Sequence, residues 1–269
     1  MFCRERFTRS LQENTIPRKL LSAMFAVASL FLPSNAGSPI SNVYANVGES
    51  LNEDALLDDV KAEVLLTFYE FTNFHGRRAW MMAGNLTRMA IGLGLHQIDC
   101  GAGNASLSGI ELEERRLVWW SVWKLDTAIN ALTWSPFGAE SHSPGTALVS
   151  TLTKDFTEGL VGNPTQQFLP SNATSIWKSA ESLLSTDMGN GNNMYMLAAL
   201  HLRNVSSCLL LSHSRPSIDV AMHLAELRHQ LPCMKFSLPE WYFEPAFQSA
   251  IETPLSHRIR LETLIILHM

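Results

Sequence analysis

The sequence predicts an all-α, multi-helical protein. Apolar residues recur at intervals of three and four positions in several separate segments, which is the spacing of one buried helix face. No segment alternates convincingly between apolar and polar residues with the period of two that a strand requires. With 46% hydrophobic and 17% charged residues, the composition is that of a folded chain with a sizeable core. We therefore expect helices separated by polar loops.

The N-terminal segment, residues 1–49, is predicted to contain one apolar helix at 20–32 followed by a loop. The same apolar run is similar to the core of a secretory signal, because basic residues precede it and a small-x-small motif follows it. It is too short to span a bilayer, which takes about 20 residues. The stretch before it is long for a signal and carries Glu5 and Glu13. A secreted helical protein with a signal peptide at 1–36 is kept as an alternative.

The next segment, residues 50–140, opens with a predicted helix. Ser50 and Glu53 have the spacing of a capping box, in which each side chain bonds the backbone of the other residue. An apolar stripe with steps of three and four residues follows, and it has to be buried. Its members are Leu57, Val60, Val64, Phe68 and Phe71.

A second helix of this segment, predicted to begin near Arg77, has the cleanest helical period in the chain. Gly84 and Gly92 each cost about 1 kcal/mol of helix propensity relative to alanine. Close packing or helix termination is the expected use of these glycines. The apolar stripe consists of Ala79, Met82, Ala83, Leu86, Met89, Ala90 and Leu93.

A third helix is predicted from Gly109, after a capping box formed by Ser108 and Glu111. Its charged first turns are expected to be solvated, because oppositely charged side chains three or four residues apart neutralise one another, with a partner-docking surface as the alternative. Its tryptophans are expected in the core, with an effector pocket as the alternative. The charged residues are Glu111, Glu113, Glu114, Arg115 and Arg116, and the tryptophans are Trp119, Trp120 and Trp123.

The rest of the chain divides into a loop-rich excursion at 141–172 and a helical part at 173–269. Turn formers dominate from Trp134 to Pro170, and helical spacing resumes after them. The last helix, from Ser256, has no Gly, Asn or Pro near its end that would stop it. We therefore expect the domain to be incomplete at its C-terminus.

Charge and motifs disfavour several function classes. The net charge of −5 and the pI near 6.0 argue against nucleic-acid binding by this chain alone. The four cysteines form no C-x-x-C pair, and the chain has no P-loop, G-x-G-x-x-G or G-x-S-x-G motif. His223, Glu226 and His229 lack the spacing of a zinc-binding H-E-x-x-H helix and are interpreted as a solvated face. We therefore predict no catalytic, cofactor-binding or metal-binding residues.

Two blocks of sequence resemble the fungal-specific transcription factor domain, the middle homology region of fungal zinc-cluster activators. In that family, a Trp-containing helix with Arg-Met-Ala and Leu-Gly-Leu-His precedes a helix with Arg-Arg-Leu, Trp-Trp and Leu-Asp. The first block matches at Trp80, Arg88, Met89, Ala90, Leu93, Gly94, Leu95 and His96. The second matches at Glu113, Arg115, Arg116, Leu117, Trp119, Trp120, Leu125 and Asp126. The resemblance is firm over residues 50–140 and extends more loosely over 20–269.

The chain also departs from that family. Thr127 follows Asp126 where an arginine is common, and residues 134–136 stand where the family has Gly-Arg-Pro, so this loop is expected to pack differently. A six-cysteine cluster that binds two zinc ions normally precedes the domain, and Cys3 alone cannot supply it.

The resemblance implies a nuclear domain that modulates transcription by RNA polymerase II and has no catalytic activity. DNA would be contacted only through the missing zinc cluster, so zinc is expected there and no cofactor is expected in this chain. The implied partners are the transcription machinery or regulatory proteins, with no membrane. A small-molecule effector and a homodimer are left open, as is a cluster-less module that binds an effector or a partner.

Two polar residues of the motif have structural interpretations. Asp126 follows a buried aromatic face, and a buried carboxylate needs a donor, so an ion pair with Arg88 or another arginine is expected. His96 is expected to lie against the C-terminal end of its helix, where the helix dipole favours a cation.

Overall fold

The structure of the chain, a computed structural model, describes residues 1–31, 57–100, 107–139, 145–149, 153–161, 167–170, 176, 179–180, 192–244 and 254–268. Within these ranges there is no strand and there are nine α-helices, which confirms the all-α prediction. The helices are α1 (Arg4–Gln12), α2 (Arg18–Ser29), α3 (Leu57–Thr72), α4 (Gly76–Gly92), α5 (Gly109–Thr133), α6 (Thr153–Thr157), α7 (Asn192–Ser214), α8 (Ile218–Phe236) and α9 (Pro254–His268).

The apolar run predicted at 20–32 forms α2, which packs along α3. Leu20, Ala23 and Ala26 are buried against Ala62 and Leu66 of α3 in a small cluster of their own. The two alanines of α2 let the helix backbones approach closely, because they add almost no side-chain bulk at the contact. The run is therefore an integral helix of the fold.

Helices α3, α4 and α5 pack against one another and contain most of the resemblance described above. On α4, alanines at 79, 83 and 90 and Leu86 face inward, as the helical period predicted. Gly94 ends this part of the chain in a left-handed conformation with φ of +70°, which costs glycine little. A short 3₁₀ turn, Leu95–Gln97, then leads toward α5.

The capping box predicted for α5 is present. The backbone N–H of Glu111 donates to the Ser108 hydroxyl at 3.3 Å, and the Ser108 N–H donates to the Glu111 carboxylate at 3.0 Å. These bonds satisfy donors that the first turn of a helix leaves without a partner. The capping box predicted at Ser50 and Glu53 lies outside the described residues.

One large core cluster joins the two ends of the described chain, with members on α3, α4, α5, α7 and α9. Helix α7 packs against α5, α8 and α9. By length and hydropathy α7 would suit a membrane span, with a mean hydropathy of 1.3 over an 18-residue window, but 56% of that window is buried within the protein. Its burial among other helices favours a core helix over a membrane segment.

The turn-rich region after α5 contributes to the core where the structure describes it. Ala147, Leu148 and Val149 are buried, and so are Phe156 on α6 and Leu169. The excursion predicted at 141–172 therefore includes backbone that packs tightly against the helices.

Candidate regulatory site

The charged first turns of α5 are buried, so the prediction that they are solvated is wrong for three of the residues. The relative exposure is 0% for Glu113, 7% for Glu114 and 2% for Arg116. Glu113 pairs with Arg116 on the same helix, whereas Glu114 pairs with residues of two other helices. Burial of paired charges is tolerated when every member is hydrogen-bonded.

Arg116 is held between two carboxylates. Its Nε donates to Asp99 Oδ2 at 3.0 Å, its Nη2 donates to Asp99 Oδ1, and its Nη1 donates to Glu113 Oε2 at 3.1 Å. Burial alone lowers the pKa of Arg116, but the bonds and charges of Asp99 and Glu113 outweigh it and raise the pKa above its ordinary value. We call Asp99, Glu113 and Arg116 the Arg116 network.

A short non-helical stretch, residues 145–149, closes over this network, and we call it the clasp segment. The Ala147 N–H donates to Asp99 Oδ2 at 2.7 Å, and Trp120 Nε1 donates to the Ala147 carbonyl at 2.8 Å. Thr146 donates from its hydroxyl to the Leu95 carbonyl at 2.7 Å. The clasp segment therefore connects the 3₁₀ turn, through the Thr146 hydroxyl, to α5, through the Ala147 carbonyl and Trp120.

Only glycine fits at the first position of the clasp segment. A Cβ atom on Gly145 would lie 2.7 Å from both the His96 carbonyl oxygen and the Gln97 Cα. Both are backbone atoms, which cannot move aside as the end of a side chain can. The close approach also brings the Gly145 carbonyl to 2.7 Å from the Asp99 N–H, which donates to it.

Asp126 forms a buried ion pair, as expected, and its partner is Arg203 on α7 rather than Arg88. Arg203 Nη1 donates to Asp126 Oδ2 at 3.1 Å and to the Thr127 hydroxyl at 2.8 Å. Arg88 is exposed on α4. The pair thus connects α5 to a helix 77 positions further along the chain.

Both oxygens of the Asp126 carboxylate also accept hydrogen bonds from residues around the turn after α5. Gly138 and Ala139 donate from their backbone N–H groups to the carboxylate at 3.0 Å and 3.1 Å. Asn130 also donates to it, at 2.7 Å. The region that departs from the family pattern after Asp126 is therefore fixed by the same carboxylate.

Arg203 lies between aromatic rings. The centre of its guanidinium lies 4.5 Å from the ring centre of Trp123 and 4.2 Å from that of Phe137. Burial lowers the pKa of Arg203 to about 10, and the neighbouring charge of Asp126 offsets only part of this effect. We call Asp126, Thr127 and Arg203 the Arg203 network.

A third charged group borders a cavity of about 390 Å³ between α1, α2, α3 and α5. Lys61 Nζ donates to Glu114 at 2.9 Å and to Asp58 at 2.8 Å, and Arg6 Nη1 donates to the other oxygen of Glu114 at 3.1 Å. The rest of the wall consists of the apolar residues Phe2, Phe7, Ile16, Leu20 and Leu57, together with Cys3, Ser10 and Thr15. The cavity therefore has a mixed wall, in which apolar side chains stand beside hydroxyl groups and a charge-balanced ionic group.

The matched motif residues fall into three classes of exposure. Half are buried, namely Ala90, Leu95, Glu113, Arg116, Trp119, Trp120, Leu125 and Asp126. Five are partly buried, namely Met89, Leu93, His96, Arg115 and Leu117. Trp80, Arg88 and Gly94 are exposed. Most of the motif is therefore buried or partly buried, and the exposed side chains on α4, Trp80 and Arg88, are exceptions.

The tryptophans of α5 form core rather than an effector pocket. Trp119, Trp120 and Trp123 are at most 2% exposed, and the last two meet edge to face at 5.8 Å between ring centres. His96 lies in the 3₁₀ turn beyond the end of α4, with its ring centre 6.1 Å from that of Trp119. Its surroundings thus include an aromatic ring that the helix-end interpretation did not anticipate.

The residues considered as a metal trio, His223, Glu226 and His229, are exposed along α8. Among the described residues, no group of three or more His, Cys, Asp or Glu side chains could hold a metal ion.

Sequence reasoning missed the partners that complete these networks. Asp99 stands at the edge of a Gly-rich loop, and Lys61 and Arg203 stand among apolar residues of buried helices. A lone basic residue inside an apolar helical run is a usable indication, because such a charge needs a buried partner. Nothing local in the sequence marks the close approach at Gly145.

Comparison with known proteins places these features in a family. A family model described as the fungal specific transcription factor domain matches residues 2–142, which is more than half of the chain. A stretch of 78 residues is 33% identical to transcription factor tazR of Aspergillus terreus. That stretch is 28% of this chain and only 12% of the relative, so the match covers one small part of a longer relative. No solved structure matches the chain.

Proposed function

The chain belongs to the fungal-specific transcription factor domain family, and we propose that it acts in the nucleus as a middle homology domain that modulates transcription by RNA polymerase II. The family match over residues 2–142 carries this proposal. The similarity to a fungal transcription factor over 78 residues supports it. The Arg116 network lies within the matched range, so the matched sequence contains buried polar links of its own.

The proposed role is regulatory and non-catalytic. Specific contact with DNA is proposed to need a separate zinc-cluster module, and zinc is proposed to bind only there. The net charge of −5 supports the proposal that a separate module contacts DNA, because a DNA-binding surface depends on clustered basic residues. The transcription machinery or regulatory proteins are the proposed partners, and a homodimer remains compatible with this role.

The cavity beside Lys61 supports a second role, the binding of a small-molecule effector. A volume of about 390 Å³ suits a small organic molecule, and the wall combines apolar side chains with a few fixed polar groups. The lining charges Arg6, Lys61, Asp58 and Glu114 balance one another, which favours an uncharged ligand. The Ser10→Phe substitution, on the half-buried cavity wall, is expected to block such binding while α1 stays folded.

A tethering experiment tests the main proposal. The chain is fused to an unrelated DNA-binding module in a fungal host, and expression from a reporter with that module's sites is measured. The module alone and the module fused to an unrelated helical protein of equal length are the matched controls. A change in reporter output beyond both controls is expected. Output equal to the controls under every growth condition tried would overturn the proposed function.

Location separates the regulator from the secreted alternative. The packing of α2 on α3 supports retention of the apolar segment in the folded protein. A C-terminally tagged chain is therefore expected in the nuclear fraction with its first 36 residues present. N-terminal sequencing that begins at Gly37 would instead establish secretion.

A further inference from the structure

We propose that the outer face of α4 is a docking surface for an acidic, amphipathic helix of a partner protein. The face consists of Arg77, Trp80, Met81, Gly84, Arg88 and Ile91, and we call it the α4 face. The proposal rests on the proposed regulatory function, for which it names the class of partner. A direct binding measurement tests it independently of that function.

The six residues share one side of the helix. At 3.6 residues per turn they fall within about 100° of arc and extend about 21 Å along the axis. The inward side carries the buried alanines and Leu86, so the α4 face points away from the core. Its geometry is that of a single ridge long enough to lie beside another helix.

The α4 face exposes large apolar side chains. The relative exposure is 43% for Trp80, 62% for Met81 and 39% for Ile91. Single exposed apolar residues are ordinary, but these three share one stripe of one helix, which extends about 16 Å from Trp80 to Ile91 and favours an interaction site. Trp80 is also one of the few residues of the family motif that the core does not use.

The charge of the α4 face selects the partner. Helix α4 contains no aspartate or glutamate, whereas the whole chain has a net charge of −5. Among the described residues, Arg77 and Arg88 are exposed and have no ion-pair partner. They lie about 16 Å apart along the axis, on either side of Trp80. Two carboxylates separated by three turns of a partner helix would reach both arginines.

Gly84 lowers the ridge at its centre. A Cβ atom placed there would be in ordinary contact with Arg88 Nη1 at 3.9 Å and with no other heavy atom within 4 Å, so only the flexible tip of Arg88 lies over this glycine. A glycine in the middle of a helix costs stability relative to alanine, and nothing in the fold requires this one to be small. An apolar side chain from a partner would fill the depression between Trp80 and Ile91.

Direct binding tests the proposal with a defined probe. The probe is a fluorescein-labelled helical peptide of about 16 residues, with two glutamates eleven positions apart and leucines at helical spacing between them. The control peptide has glutamine at both glutamate positions. Fluorescence anisotropy with the purified full chain is expected to show about three- to tenfold tighter binding of the acidic peptide, with the difference falling as salt rises.

Substitutions at Gly84 separate binding from folding. Gly84→Glu and Gly84→Gln both raise helix propensity and so are expected to keep or raise the melting temperature. Gly84→Gln fills the depression, and Gly84→Glu adds a negative charge next to Arg88. Binding of the acidic peptide is therefore expected to fall for both, by about tenfold or more for Gly84→Glu. Arg228→Glu, an exposed change on α8, is the control and should leave binding as it is.

If the α4 face binds something other than an acidic helix, the same measurements give different results. Equal binding of both peptides would reduce the face to general apolar contact and overturn the proposal. Binding of a labelled DNA duplex that Arg88→Glu abolishes, without peptide binding, would overturn it in favour of nucleic acid. Self-association that Gly84→Glu abolishes would overturn it in favour of a second copy. A silent reporter with intact peptide binding would overturn the proposed function while leaving the docking surface in place.

Discussion

Two buried arginines, Arg116 and Arg203, show two ways of keeping a guanidinium inside this fold. Both are at most 2% exposed. Arg116 has two carboxylates and a pKa raised above its ordinary value, whereas Arg203 has one carboxylate and a pKa lowered to about 10. Aromatic rings and a backbone carbonyl complete the surroundings of Arg203. The two carboxylates thus more than offset the desolvation of the Arg116 charge. The single carboxylate beside Arg203 offsets only part of the desolvation of its charge, and packing must offset the rest.

The two arginines also differ in how far along the sequence their partners lie. The partners of Arg116 lie 17 and 3 positions away, inside the range matched by the family model. The partner of Arg203 lies 77 positions away, and it connects α5 to α7 beyond that range. The Arg116 network therefore fixes the local arrangement of α4 and α5, and the Arg203 network holds the two halves of the core together.

The largest expected effect comes from removing Arg203. Arg203→Met leaves Asp126 buried without its cationic partner, which typically costs about 3–5 kcal/mol. Urea unfolding at neutral pH, followed by circular dichroism, measures the loss. Arg203→Lys keeps the charge but not the planar stacking or the several bonds, so it should recover little of the stability. Wild-type stability in Arg203→Met would contradict the assigned role of the pair.

A smaller effect is expected in the Arg116 network. Asp99→Asn removes one of the two carboxylates, but Glu113 still compensates Arg116, so we expect a loss of about 2–3 kcal/mol. Asp58→Asn is the matched control, because the side chain of Asp58 is 39% exposed and its pair with Lys61 is partly solvated. A loss in Asp99→Asn as large as that in Arg203→Met would remove the distinction between the two networks.

The clasp segment gives a third test, in which the expected loss of stability is of the same order as for Asp99→Asn or smaller. Gly145→Ala forces a Cβ atom against the backbone of His96 and Gln97, and overpacking of this kind typically costs about 1–3 kcal/mol. Gly92→Ala is the control, since nothing lies within 4 Å of its added Cβ atom. If thermal unfolding shows the two variants to be equally stable, the clasp segment does not lie as close to the 3₁₀ turn as the structure has it.

Local features of the helices could be predicted from the sequence. The capping box at Ser108 placed the start of α5 at Gly109, where the structure has it. The period of α4 predicted both the helix and its buried alanines. These features depend on residues three or four positions apart, so a short window contains all the information.

The burial of charge could not be predicted in the same way. The sequence of the first turns of α5 is compatible with a solvated face, because Glu113 and Arg116 do pair three positions apart. Their burial depends on Asp99, and that of Glu114 depends on Lys61, 53 positions earlier in the chain. Arg88 was a reasonable partner for Asp126 by proximity in sequence. Only the packing of α7 against α5 brings Arg203 to that site.

The smallest expected effect is a pH dependence from His201, which lies on α7 two positions before Arg203. Burial lowers the pKa of His201 below its ordinary value of 6.5, as burial also does for Arg203. The unfolded chain therefore takes up a proton before the folded protein does as the pH falls, so stability is full above pH 6.5 and is lost as the pH drops through the folded pKa. Unfolding free energies of wild type and His201→Gln between about pH 8 and pH 5.5 should converge toward acid, because the variant lacks this loss. Parallel curves would show that burial does not hold the pKa of His201 below its ordinary value.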